Sequence, residues 1–272
     1  MLAGAALAAA QPAARPLAVV QSRIHLERED GPPIPANYAF IGGQPLYLSF
    51  RVANFKVVKD TVDLRYQIVL TDPEGVLLTP PATGSVAAEV SDNDKDWLPV
   101  VRETLVLPPL TAPGECLLKI RVADEHAKAS AEEVLRFRTQ GLEIAPAEKL
   151  TVRDFRFFRS ENDAAPADPP AFAAGAPVFA RFVLTGYRLG EKNRFDISYG
   201  IRVLRPDGSV LFSQPDAAAE SDAPFYPKRY LVGGMGLTLS ADVPKGEYTV
   251  ALSVQDKVGP QALEERFHFR IE

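Results

Sequence analysis

Apolar and polar residues alternate with a period of two through much of this chain, the pattern of strands that bury one face. Leu46, Leu48, Phe50 and Val52 fall on one side of a predicted strand, with Tyr47, Ser49 and Arg51 on the other. A second run sets Leu64, Tyr66, Ile68 and Leu70 inward, a third sets Cys116, Leu118, Ile120 and Val122 inward, and a fourth carries Leu135 and Phe137. Each run has a partner further along: Val178, Ala180, Phe182 and Leu184, then Ile197, Tyr199, Ile201 and Val203, then Tyr248, Val250, Leu252 and Val254, then Phe267 and Phe269. No capped 3.6-residue period extends over about ten positions or more, and only a short helical turn is predicted within 125–133. The chain is predicted to be all-β.

Turn residues separate these runs. Asp72-Pro73-Glu74-Gly75 and Arg205-Pro206-Asp207-Gly208 supply the preset φ of proline and the φ > 0 tolerance of glycine that reverse a hairpin. The matched blocks also recur in order. Gly43-Gln44-Pro45 returns as Gly175-Ala176-Pro177, 132 residues later (175 − 43), and Gly114-Glu115 through Asp124 returns as Gly246-Glu247 through Asp256. A period of this length is a duplicated domain, since solenoid units run at roughly 20–50 residues and cannot fold singly. Two domains of about 125 residues each are large enough to bury a core without staples. Their predicted bounds are 17–142 and 143–272, after a leader at 1–16, with a short Gly- and Pro-bearing junction near 139–149. The proline-rich stretches 29–43 and 161–175 are predicted to be loops.

The strand carrying Gly246, Tyr248, Val250, Leu252, Val254 and Asp256, after the Pro206-Asp207-Gly208 hairpin, resembles the bacterial immunoglobulin-like and fibronectin type III-like sandwich modules of exported proteins. The resemblance implies two tandem antiparallel immunoglobulin-like β-sandwiches and no particular activity. The first repeat departs from it by placing Cys116 where the second has Tyr248, and the disulfide and core tryptophan of antibody domains are both absent.

Composition narrows the partners. A net charge of −5 with both signs scattered offers no basic tract for nucleic acid or an anionic membrane. The alanine-rich run from Met1 ends in small residues, matching the apolar region and cleavage zone of a secretory signal without its charged start. It is shorter than the roughly 20 apolar residues a bilayer requires. The expectation is a periplasmic, secreted or cell-surface protein that does not span the membrane once the signal is removed. Cys116 is the only cysteine, so no intramolecular disulfide forms, and its inward phase predicts a buried inert thiol rather than a nucleophile.

Candidate chemistry is sparse. Asp92, Asp94 and Asp96 with Glu103 have the spacing of a calcium loop, but Trp97 stands where the loop needs glycine and Pro99 follows, so a solvated acidic loop is favoured over a metal site. Trp97-Leu98-Pro99 and Phe225-Tyr226-Pro227 place aromatic rings in corresponding loops, where they either stack on a partner or plug the end of their own sandwich. Gly233, Gly234 and Gly236 predict a bulge or loose turn in preference to an anion-binding backbone. His25, His126 and His268 lack metal-ligand spacing, the adjacent acids Glu132-Glu133 and Glu264-Glu265 face opposite sides of a strand, and no nucleophile elbow, phosphate loop or dinucleotide fingerprint is present. No cofactor is therefore expected. The expected function is that of a non-catalytic exported interaction or spacer protein, with a protein or glycan partner at the cell envelope met through Trp97, Phe225 and Tyr226. The alternatives are a carbohydrate-binding accessory module, which needs those rings in a flat exposed platform, and a hydrolase, which needs a nucleophile and base in contact.

Overall fold

The strands form where one face must be buried and the other wetted. The computed structural model describes residues 15–91, 94 and 96–272. The chain divides into two compact units, Met1–Leu142 and Glu143–Glu272. In the first, β1 (Ala18–His25), β3 (Pro45–Ala53) and β6 (Val100–Val106) make a sheet of order β1-β3-β6. Against it lies a five-stranded sheet, β2-β8-β7-β4-β5, of β2 (Ala39–Ile41), β4 (Thr61–Thr71), β5 (Ala82–Glu89), β7 (Gly114–Asp124) and β8 (Ala129–Gln140). The second unit repeats the plan. One sheet is β14-β11-β9, from β9 (Thr151–Phe158), β11 (Pro177–Thr185) and β14 (Tyr230–Thr238). The other is β10-β16-β15-β12-β13, from β10 (Ala171–Phe172), β12 (Phe195–Leu204), β13 (Val210–Asp222), β15 (Gly246–Asp256) and β16 (Gln261–Ile271). Grouping the first, second and fifth long strands on one sheet, and the third, fourth, sixth and seventh on the other, is an arrangement of immunoglobulin sandwiches, so the fold is two immunoglobulin-like β-sandwiches. Among the described residues no helix is long and apolar enough to cross a membrane.

The alternating residues fill both cores. Leu46, Leu48, Phe50, Leu118 and Ile120 are buried in the first unit, and Val178, Phe182, Val250 and Phe269 in the second. Cys116 and Tyr248 are both fully buried, and each satisfies its polar atom locally. Cys116 Sγ meets Thr139 Oγ1 at 3.5 Å, and the Tyr248 hydroxyl donates to the Pro244 carbonyl at 2.7 Å.

Three expectations are corrected. No helical turn forms over 125–133, because the backbone reverses there and enters β8 at Ala129. The proline-rich stretches hold short strands, β2 and β10, which pair parallel with β8 and β16 and interrupt the otherwise antiparallel plan. Gly233, Gly234 and Gly236 form neither bulge nor turn. They lie in β14, which pairs with β11 through nine consecutive residues from Tyr230 to Thr238. A side chain on Gly233 would fall 2.3 Å from the Phe182 ring, so the glycine is required by close packing.

Each unit ties its hairpin end with one buried acid. Asp124 Oδ1 accepts the backbone N–H groups of His126 and Ala127, and Oδ2 accepts that of Lys56 at 2.7 Å. Asp256 does the same, with Val258 and Gly259 on Oδ1 and Arg188 on Oδ2. These carboxylates join the turn after the sixth long strand to the connection between the two sheets.

Candidate functional site

The 90–99 connection is fastened to β3. Val52 N–H donates to the Pro99 carbonyl at 3.2 Å, Arg51 Nη1 donates to the Leu98 carbonyl at 3.0 Å, and Trp97 N–H donates to the Asp94 carbonyl. The Trp97 ring is half-buried and meets Phe55 edge to face, centroids 5.8 Å apart. Asp92 lies outside the described residues. Asp94 accepts the Ser91 hydroxyl and backbone N–H, bonds that hold its carboxyl below the ordinary range. Asp96 is exposed, and Glu103 sits in β6, where it accepts the Tyr66 hydroxyl at 2.6 Å. Among the described residues no three His, Cys, Asp or Glu side chains cluster as metal ligands.

In the second unit the neighbouring rings part company. Tyr226 is 4% exposed and Phe225 is 49% exposed. Asn193 Nδ2 donates to the Pro224 and Phe225 carbonyls, at 3.2 and 2.6 Å, and the Tyr187 hydroxyl donates to the Lys228 carbonyl at 2.6 Å. Burial raises the Tyr187 hydroxyl above its ordinary range, which keeps it a donor. The loops are not in structural register. Val100 pairs with Arg51 and Val232 with Val183, placing equivalent rungs 132 residues apart (232 − 100), whereas Trp97 and Phe225 are 128 apart (225 − 97). Each loop therefore presents its ring in its own way, and neither unit lays two of the three rings side by side as an exposed flat face.

A third constellation lies on the outer face of β1-β3-β6. His25 is 7% exposed under the connection that follows β1. Its Nδ1 is 2.7 Å from the Gly31 carbonyl, and its Nε2 is 2.7 Å from Ser49 Oγ. A serine and a histidine are thus in contact, a pairing the strand pattern did not reveal. Around Ser49 stand Arg23, Arg51 and Arg102, lining a cavity of about 210 Å³. The other histidines are remote from catalytic company: His126 is near the Lys56 carbonyl, and His268 is near Thr249 and Glu247. Cys116 is shut in the core, where burial pushes its thiol up.

No protein-family model matches the chain. No curated protein matches it. Among solved structures it is similar to red sea bream transglutaminase, with 9% identity and a TM-score of 0.27 over 93% of this chain. The chain spans 31% of that enzyme's length. It is also similar to the C-terminal domain of the AgI/II polypeptide BspA of Streptococcus agalactiae, with 10% identity and a TM-score of 0.32, covering 94% of this chain and 100% of that one. Similarity at this level carries no functional argument.

Proposed function

We propose that this chain is a non-catalytic interaction protein, exported to the cell envelope, whose tandem immunoglobulin-like domains present loops to a protein partner. The observation that carries the proposal is the 223–229 connection. Tyr226 is anchored in the sandwich and Asn193 holds the two carbonyls before it, so Phe225 is offered to solvent on a fixed backbone. An aromatic ring presented this way loses little conformational freedom on binding and makes an efficient anchor. A glycan platform would be better served by adjacent exposed rings.

The Ser49–His25 contact supports binding more than catalysis. β3 is the central strand of its sheet, and the residues that face Ser49 across it are the cationic Arg23 of β1 and Arg102 of β6. The imidazole Nδ1 meets the Gly31 carbonyl, where a catalytic triad would place a carboxylate.

The test is to immobilise the full chain and its Phe225→Ala variant and to challenge each with detergent-solubilised envelope proteins and with a panel of purified polysaccharides. The expected result is an envelope protein retained by the native chain and lost by the variant at unchanged melting temperature. Retention of a polysaccharide instead, or equal retention by both chains, would overturn the reading. Cell fractionation tests export, and a cytosolic signal would exclude it.

A further inference from the structure

We infer that the outer face of the β1-β3-β6 sheet is a binding site for a tetrahedral oxyanion, a sulfate or phosphate group either free or esterified to a sugar. The inference goes beyond the loop reading above and does not depend on Phe225.

Pairing across three strands builds the site. Ser49 of β3 stands opposite Arg23 of β1 on one side and Arg102 of β6 on the other. Antiparallel partners are about 5 Å apart, so the two arginine backbones flank Ser49 with about 10 Å between them. Their forked guanidinium groups can close on one anion above the serine, a geometry suited to oxyanions. Arg51 occupies the next outward position on β3, and one of its donors is held by the Leu98 carbonyl.

Two acids, Glu29 and Asp30, line the same cavity, and each has a partner of its own. Asp30 pairs with Arg28 at 2.8 Å. Glu29 accepts the Thr104 hydroxyl, and that bond, a backbone bond and the charge of Arg102 keep it ionised below the ordinary carboxylate range. Among the described residues no carboxylate lies within ion-pair distance of Arg23, Arg51 or Arg102.

Elsewhere the chain does pair such residues. On the outer face of the five-stranded sheet, Arg65 meets Glu125, Lys119 and Arg121 meet Glu132, and Arg136 meets Glu115. The second unit shows what the same face looks like without a site. There Arg181 replaces Ser49 opposite Arg156, its guanidinium covers the Phe158 ring at 3.6 Å, and it donates to the Asp163 carbonyl. Gly234 stands where Arg102 would be. Three guanidinium groups around a hydroxyl whose partner, His25, is itself fixed by the Gly31 carbonyl make an anion site that only the first unit possesses.

The experiment is isothermal titration of the full chain with sodium sulfate, sodium chloride holding ionic strength constant. Saturable one-site binding is expected, weakened about tenfold or more by Arg23→Gln and by Arg102→Gln, as loss of a charge-assisted fork implies. Arg156→Gln should leave it unchanged. Both target arginines are exposed, and circular dichroism is the check that each variant is folded. Galactose 6-sulfate and glucose 6-phosphate form the second arm. Tighter binding than the free ions assigns an ester as ligand, weaker binding assigns the free ion, and either outcome supports the site. Absence of saturable binding, or equal weakening by Arg156→Gln, overturns it.

Discussion

Asp124→Ala should destabilise the first unit and disturb Trp97 at the same time. The carboxylate is 1% exposed and accepts three backbone N–H bonds, from His126 at 2.8 Å, Ala127 at 3.0 Å and Lys56 at 2.7 Å. Bonds to a charged acceptor contribute about 1.5–3 kcal/mol each when their donors are buried. Lys56 and Ala127 lie at the surface, where water can replace the lost acceptor, so about 1 kcal/mol per bond, or about 3 kcal/mol in all, is the appropriate scale. Asp124→Asn keeps an oxygen for the turn but aims an amide N–H at Lys56 N–H, and its cost should be smaller, about 1.5–2 kcal/mol. Urea unfolding followed by Trp97 emission measures both, because Trp97 is the only tryptophan and belongs to this unit. With a slope of about 1.5 kcal/mol per molar, the alanine variant should lose about 2 M in midpoint. The native emission should also move. Lys56 follows Phe55, the ring that covers Trp97, so freeing that connection should shift emission to the red and open it to acrylamide. A loss below about 0.5 kcal/mol would refute the clamp. A destabilised variant with unchanged native emission would refute the link to Trp97.

Gly233→Ala should cost about 1–3 kcal/mol in circular dichroism melts, because its Cβ would meet the buried Phe182 ring at 2.3 Å, while Gly234→Ala, whose nearest neighbour is the Ala180 carbonyl at 3.4 Å, should be tolerated. Tyr66 is pushed up to about 12 by burial first, then by its bond to Glu103 and the charge of that carboxylate. Its raised value means the folded chain holds the phenolic proton more tightly, so this stabilisation is complete below the ordinary value of 10.0 and lost as pH rises through about 12. Tyr66→Phe should flatten the alkaline fall in urea midpoint over that window, and an unchanged slope would exclude the bond as its source. Cys116 should react with a disulfide reagent only as fast as the chain unfolds, and labelling of the native protein within seconds would contradict its burial.

What the sequence made legible was each strand taken singly, and what it concealed was pairing. β3, β4, β7 and their counterparts could be read because a sandwich core enforces an unbroken two-residue period. β1 and β9 could not, because Gln21 (φ 54°) and Asp154 (φ 51°) insert a left-handed residue that throws the alternation out of phase. β14 was hidden by glycines that read as a loop until Phe182 is seen to fill the missing side-chain space. The sites follow the same division. Ser49 was legible as an outward residue, but nothing in β3 says that Arg23 and Arg102 share its rung, since that depends on the registers of β1 and β6 against it. Phe225 and Tyr226 stand side by side in a loop, where no period separates inside from outside, and the carbonyls fixed by Asn193 and Tyr187 decide which ring is presented. In a sandwich of this kind the core is written along strands and the chemistry across them. Binding residues should therefore be sought by rung, and the arginine rung centred on Ser49 is one place where the first unit departs from the plan of the second.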